Sequence, residues 1–156
     1  MTVFDSAIPP VPVALPAGGG RPLTVLGNPW SVKLSGGQTA GTLAVIEGTF
    51  APGTGAPPHL HRGHEECFYV LGGEFRFRAG EETVEAGAGG FFYVPRGAAH
   101  GFENIGDGPG RLLGLITPAG YEEYFIEVGS QPPGPPDFAA LQAIFAKYDQ
   151  ELVQGP

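Results

Sequence analysis

Short apolar segments, each closed by glycine or proline, constrain this chain more than any other feature of its sequence. Its 27 glycines and 17 prolines are spread between those segments and do not gather in one low-complexity tract. That distribution is the punctuation of an all-β domain with many turns. Strand and turn recur about every ten residues, a spacing that suits a sandwich or a barrel. At 156 residues the chain has the length of one domain, enough to bury about two-thirds of the surface its unfolded form exposes. No metal is needed merely to hold it together.

Residues 1–20 combine proline and glycine with little periodicity and read as an extended arm, proline-rich, that packs on a partner subunit. Strands are expected at Leu23–Leu26 and Trp30–Leu34, with Asn28-Pro29 as the break between them, and at Thr42–Phe50. Pro52, Pro57 and Pro58 confine the approach to His59 to extended conformations. Cys67–Leu71 is an apolar strand ending at Gly72-Gly73, and Glu74–Arg78 alternates so that Phe75 and Phe77 face a core while Arg76 and Arg78 face away. Glu81–Glu85, Phe91–Val94, His100–Asn104 and Arg111–Thr117 complete the β part. Tyr121–Val128 is short enough to read as helix or strand. After the proline-rich Gln131–Pro136, Asp137 offers an N-cap, and Phe138, Leu141, Phe145 and Tyr148 form one apolar face of a helix over Phe138–Asp149. The expected organisation is an arm over 1–20, a barrel over 21–128 and a linker with a helix over 129–156.

The stretch from Gly53 to Gly73 carries the chemistry. His59 and His61 are two apart, and in a strand such residues project from one face roughly 7 Å apart. Two imidazoles can converge on one ion, Glu66 brings a carboxylate from the next strand, and a second segment, Gly89, Pro95, Gly97, His100 and Asn104, adds a further histidine. Read as G-x5-H-x-H-x4-E-x6-G and G-x5-P-x-G-x2-H-x3-N, the two blocks resemble the paired motifs of the cupin superfamily. The resemblance is close over residues 40–118. It implies a single small jelly-roll barrel and a metal centre of His59, His61, Glu66 and His100. Within the superfamily the chain is similar to the single-domain quercetin-2,3-dioxygenase-type group, whose activity implies O2-dependent cleavage of flavonols or related enols. In that group the glutamate ligand also serves as base, so Glu66 would hold both roles. A homodimer is implied as well.

Three imidazoles and one carboxylate suit a divalent first-row ion (Fe, Mn, Ni, Co, Cu or Zn) and disfavour Ca and Mg. A redox ion points to a dioxygenase acting with O2 on a small aromatic or enolic molecule. Without O2 the same centre suits an isomerase, cyclase or lyase, and the barrel also suits a non-catalytic small-molecule-binding module. His64, in the turn, reads as a solvated surface histidine, Cys67 as a buried structural thiol, and Glu65 as a solvated neighbour that a one-residue shift of the turn would exchange with Glu66. The formal charge of -8 repels phosphate backbones and anionic membranes, so neither nucleic acid nor membrane is an expected partner. One cysteine allows no internal disulfide, and the first residues lack the basic start of a signal peptide, so a soluble cytoplasmic protein is expected.

Overall fold

The computed structural model describes residues 11–154. Expectations for residues 1–10 of the arm lie outside them; residues 11–16 are exposed and form no regular element. The strands are β1 (Arg21–Val25), β2 (Asn28–Leu34), β3 (Ala44–Phe50), β4 (Gly55–Leu60), β5 (Glu65–Gly72), β6 (Phe75–Ala79), β7 (Glu82–Ala86), β8 (Phe91–Val94), β9 (His100–Asn104) and β10 (Gly110–Thr117). Helices α1 (Glu122–Gly129) and α2 (Phe138–Lys147) and a two-residue strand β11 (Glu151–Leu152) follow. Two antiparallel sheets result, ordered β1-β2-β3-β10-β5-β8 and β11-β4-β9-β6-β7. The fold is mostly β, as the punctuation of the sequence implied, and it is the jelly-roll barrel that the resemblance implied.

Inward residues alternate as the pleat requires. Ala44, Ile46 and Phe50 of β3 and Leu112 and Ile116 of β10 are buried, and Phe75 and Phe77 of β6 lie in the core as expected. Arg76 points outward to Glu85, and Arg78 is exposed. Two apolar clusters divide the interior. Phe50, Phe68, Val70, Phe75, Phe77, Val94, Phe102 and Leu112 fill the space between the sheets. The second cluster joins Val25, Val32, Ile46 and Ile116 to Tyr121, Phe125 and Val128 of the α1 region and Leu141 and Ile144 of α2. Trp30 touches both clusters.

Several local expectations need correction. The break between the first two strands is Leu26-Gly27, both at positive φ (49° and 83°), as a two-residue hairpin turn of the primed type requires. Pro29 instead sits within β2 opposite Thr24. Tyr121–Val128 resolves as helix, its acidic Glu122 and Glu123 in the first turn, where the helix dipole favours them. Glu122 is fully buried, and its two oxygens accept the Gly36 and Gly120 amides at 2.6 Å each. Asp137 caps α2 by accepting from the Ala139 and Ala140 amides. The helix stops at Lys147, however, and Phe138 is 74% exposed, so its buried side is Leu141 and Ile144. Cys67 is half-buried and not enclosed; burial and the neighbouring Glu66 and Glu65 carboxylates raise its thiol pKa. No helix among the described residues is long and apolar enough to cross a membrane.

Candidate metal centre

The motif glycines explain how the chain reaches the site. Gly53, Gly73, Gly89 and Gly97 have φ of 76°, 80°, 89° and 75°, a region where a Cβ is strained. Gly53 and Gly97 stand before β4 and β9, which carry His59 and His100, Gly73 follows β5, which carries Glu66, and Gly89 precedes β8, which pairs with β5. At Gly55 the ligand strand β4 runs so close to β9 that a Cβ would stand 1.9 Å from the Phe102 carbonyl oxygen. Close approach of these strands places His59 directly across from His100. His61 lies just past the end of β4, Arg62-Gly63 reverses the chain, and β5 returns with Glu66 facing inward.

His59, His61, Glu66 and His100 are all buried, and one potential ligand atom from each lies within 4.8 Å of those of the others. Glu66 Oε2 stands 3.1 Å from His61 Nε2 and 3.2 Å from His100 Nε2. His59 Nδ1 lies 2.8 Å from the Pro57 carbonyl oxygen, and His100 Nδ1 lies 2.9 Å from that of Ala98. A carbonyl only accepts, so these Nδ1 atoms carry the protons and leave each Nε2 lone pair for the centre. The His61 side chain is fully buried, yet its Nδ1 has no hydrogen-bond partner and its Nε2 meets the Glu66 carboxylate at 3.1 Å without the geometry of a hydrogen bond. Burying polar atoms without partners is costly. The orphaned nitrogens, the oriented rings and the single carboxylate together fit one divalent first-row cation.

The electrostatics agree with a centre built for a cation. Burial, reinforced by His100, pushes the His59 imidazole down to about 4, against the opposing hydrogen bond to Pro57. Burial also lowers the His64 pKa, partly offset by Glu66. Burial would raise the Glu66 pKa, but contacts from His100, His61 and His64 win and hold it well below the usual carboxylate range. The His59 imidazole is thus held toward its neutral form and the Glu66 carboxylate toward its charged form, as metal ligation requires.

Two side chains that the sequence placed elsewhere belong to the surroundings of this centre. His64 is 6% exposed, not solvated: its ring stacks on His61 at 3.8 Å and on Tyr121 at 4.3 Å. Nothing in the turn's composition signals this, because α1, which brings Tyr121, lies far along the chain. Tyr121 hydrogen-bonds Gln150 Oε1, and its hydroxyl is raised well above 10 by burial and by Glu66. Glu65 turns outward and pairs with Arg96 at 2.9 Å, so Glu66 is the inward carboxylate of the pair.

A cavity of about 140 Å³ opens from the cluster. Trp30, Phe50, Phe68, Phe102, Phe125 and Phe145 form its apolar walls, while His59, Glu66, Tyr121 and Gln150 supply polar atoms. No lysine or arginine lines it. Leu152 also lines it, on the two-residue β11 that pairs with β4 opposite His59 and Leu60. The C-terminal segment therefore walls the mouth of the barrel.

Residues 46–116 match the cupin domain family. The chain is 33% identical over 102 residues to a quercetin 2,3-dioxygenase of Aspergillus japonicus, covering 60% of this chain and 29% of that protein. It is 31% identical over 96 residues to the tetracenomycin polyketide synthase protein TcmJ of Streptomyces glaucescens, covering 62% and 63%. It thus spans less than two-thirds of the length of either relative. A structure described as a predicted oxalate decarboxylase from Thermotoga maritima is similar at a TM-score of 0.61 and 22% identity, over 67% of this chain and 98% of that one, a likeness of fold.

Proposed function

The chain belongs to the cupin superfamily, and from that premise we propose that it is a metal-dependent enzyme, a dioxygenase acting on a small aromatic or enolic molecule. One observation carries the reading: a buried three-histidine, one-carboxylate cluster opens onto an aromatic-walled cavity that no cationic side chain enters. His59, His61, Glu66 and His100 would hold the ion. When bound, a first-row divalent ion supplies Lewis-acid polarisation of a substrate oxygen and, if redox-active, a means of engaging O2.

The remaining work falls to the protein. An engineered cavity of about 150 Å³ accommodates benzene, so about 140 Å³ suits one ring, with the rest of a larger molecule toward the mouth. Stacking on Phe and Trp walls orients a flat substrate, and their apolar surface excludes water from the reacting face. The absence of cations disfavours a dianion or a sugar phosphate. Glu66 borders the cavity and is the group placed to receive a substrate hydroxyl proton. Its low pKa in the metal-free protein derives from its contacts with His100, His61 and His64. A likeness to the fungal quercetin dioxygenase supports O2 chemistry. The second reading is a non-redox cyclase, isomerase or lyase at the same centre, and the likeness to a polyketide synthase protein is what favours it.

Association as a homodimer is part of the same proposal. The outer faces of β5 and its edge neighbour β8 leave Tyr69, Phe91 and Tyr93 uncovered, more aromatic surface than a lone sheet face needs. Light scattering is expected to give twice the chain mass. For the chemistry, protein loaded with each first-row ion is incubated with one-ring and fused-ring enols, aerated and anaerobic. Substrate-dependent O2 uptake is expected; product formed equally without O2 replaces the oxygenase reading with the non-redox one.

A further inference from the structure

His64 is outside the ligand set yet is held against it. Its ring lies nearly parallel to His61 (3.8 Å, 17°) and to Tyr121 (4.3 Å, 27°), and Tyr121 stacks in turn on Tyr124 (5.1 Å, 6°). His61 and Tyr121 are themselves 5.4 Å apart, so the three rings pack as one cluster in which close packing restrains the His64 ring. Its Nε2 is buried without a hydrogen-bond partner and stands 3.5 Å from Glu66 Oε1. The other oxygen, Oε2, faces His61 and His100. The two oxygens of one carboxylate therefore look toward different groups.

We propose that His64 is a positioning residue, which holds Glu66 Oε1 through Nε2–H so that Oε2 is the oxygen presented to the ion. This rests on the metal reading above. A carboxylate only accepts, so the contact selects the tautomer of His64 protonated at Nε2. The terminal torsion of a glutamate is broad and two-fold, and an unrestrained carboxylate exchanges its oxygens or offers both at once. A donor fixed on one of them removes that freedom. Partners that orient a metal ligand in this way typically change affinity by about 10–100-fold when lost. Tyr121 immediately precedes α1 and packs on His64, so the helical segment after the barrel acts on the centre through these two rings.

The test is Co(II) titration against a competing chelator, followed by the visible spectrum of the bound ion. Wild type is expected to bind one equivalent. His64→Leu is expected to weaken binding about tenfold or more and to change the Co(II) bands. His64→Gln, whose amide nitrogen reaches the Nε2 position, is expected to restore both; His64→Asn, which reaches only the Nδ1 position, is not. These two polar variants keep the comparison open if the leucine variant fails to fold. In a Glu66→Leu background, His64→Leu is expected to add no further loss. Bound Co(II) that is indifferent to all His64 variants, or an equal loss with and without Glu66, overturns the positioning role alone. Wild type that binds no Co(II) overturns the metal centre itself, and this inference with it.

Discussion

Asn104 and His61 are equally buried, each 0% exposed, and differ in everything else. Asn104 closes β9 at one end of the barrel. Its Nδ2 donates to the Phe50 and Gly108 carbonyls at 2.8 and 2.9 Å, and its Oδ1 accepts the Gly106 amide at 2.9 Å. His61 lies at the other end, beside the start of β9; its nitrogens make no hydrogen bond, and Nε2 meets only the Glu66 carboxylate, at 3.1 Å. Between the two, Phe102 packs against Phe50, Phe68 and Phe75. One end uses its buried polar groups to hold the fold together, and the other leaves the His61 nitrogens without hydrogen bonds. The difference teaches that burial of a polar group does not by itself mark a functional site; burial without a hydrogen bond is what makes His61 a candidate.

The sharpest way to break this comparison is to replace His61 and Glu66 together by leucine. Metal binding should disappear, while the metal-free protein should hold its stability or gain about 1–4 kcal/mol, because apolar residues then replace a buried polar pair. Calorimetry with and without metal checks both. Asn104→Leu should do the reverse. With the Phe50 and Gly108 carbonyls and the Gly106 amide left unpaired, it should lose about 3 kcal/mol or more in urea unfolding, with metal stoichiometry unchanged in the folded protein.

A pH series sharpens the contrast further. His59 stays neutral in the fold down to about 4 but titrates near 6.5 when unfolded, so the unfolded chain binds more protons between those values. Stability of the metal-free protein should fall as pH drops from 6.5 toward 4, and His64 adds in the same sense. Below about 4.5 the lowered Glu66 adds a further loss, because its stabilising charge is removed only as pH falls through its folded-state value. Asn104 carries no titrating proton, so Asn104→Leu should lower the whole curve without changing its shape. The smallest effect belongs to a site remote from both ends: Asp137→Ala removes the α2 cap and should cost about 1 kcal/mol, leaving metal binding intact.

The strands were legible because period-2 alternation is a local signal, and the four convergent side chains because the two motif blocks that hold them resemble those of the cupin superfamily. The motif also contained Asn104, but only the structure separates its role from that of the histidines. What escaped was set by contacts distant in sequence. His64 reads as surface until α1 delivers Tyr121 above it. The apolar residues of Tyr121–Val128 fit either a helix or a strand until they meet Val25, Val32 and Ile46. Phe138 fits a helical stripe, yet it stands in the first turn, beyond the reach of the surface that buries Leu141 and Ile144. The two-residue β11 has no periodicity to detect, although it walls the cavity beside His59.

The most direct measurement is anomalous diffraction at a metal absorption edge from crystals grown with a single first-row ion. The expected result is one strong peak ligated by His59, His61, Glu66 and His100, with Asn104 and its three backbone partners unchanged. A peak elsewhere, or none with the ion in excess, would contradict the proposal that these four side chains form a metal centre.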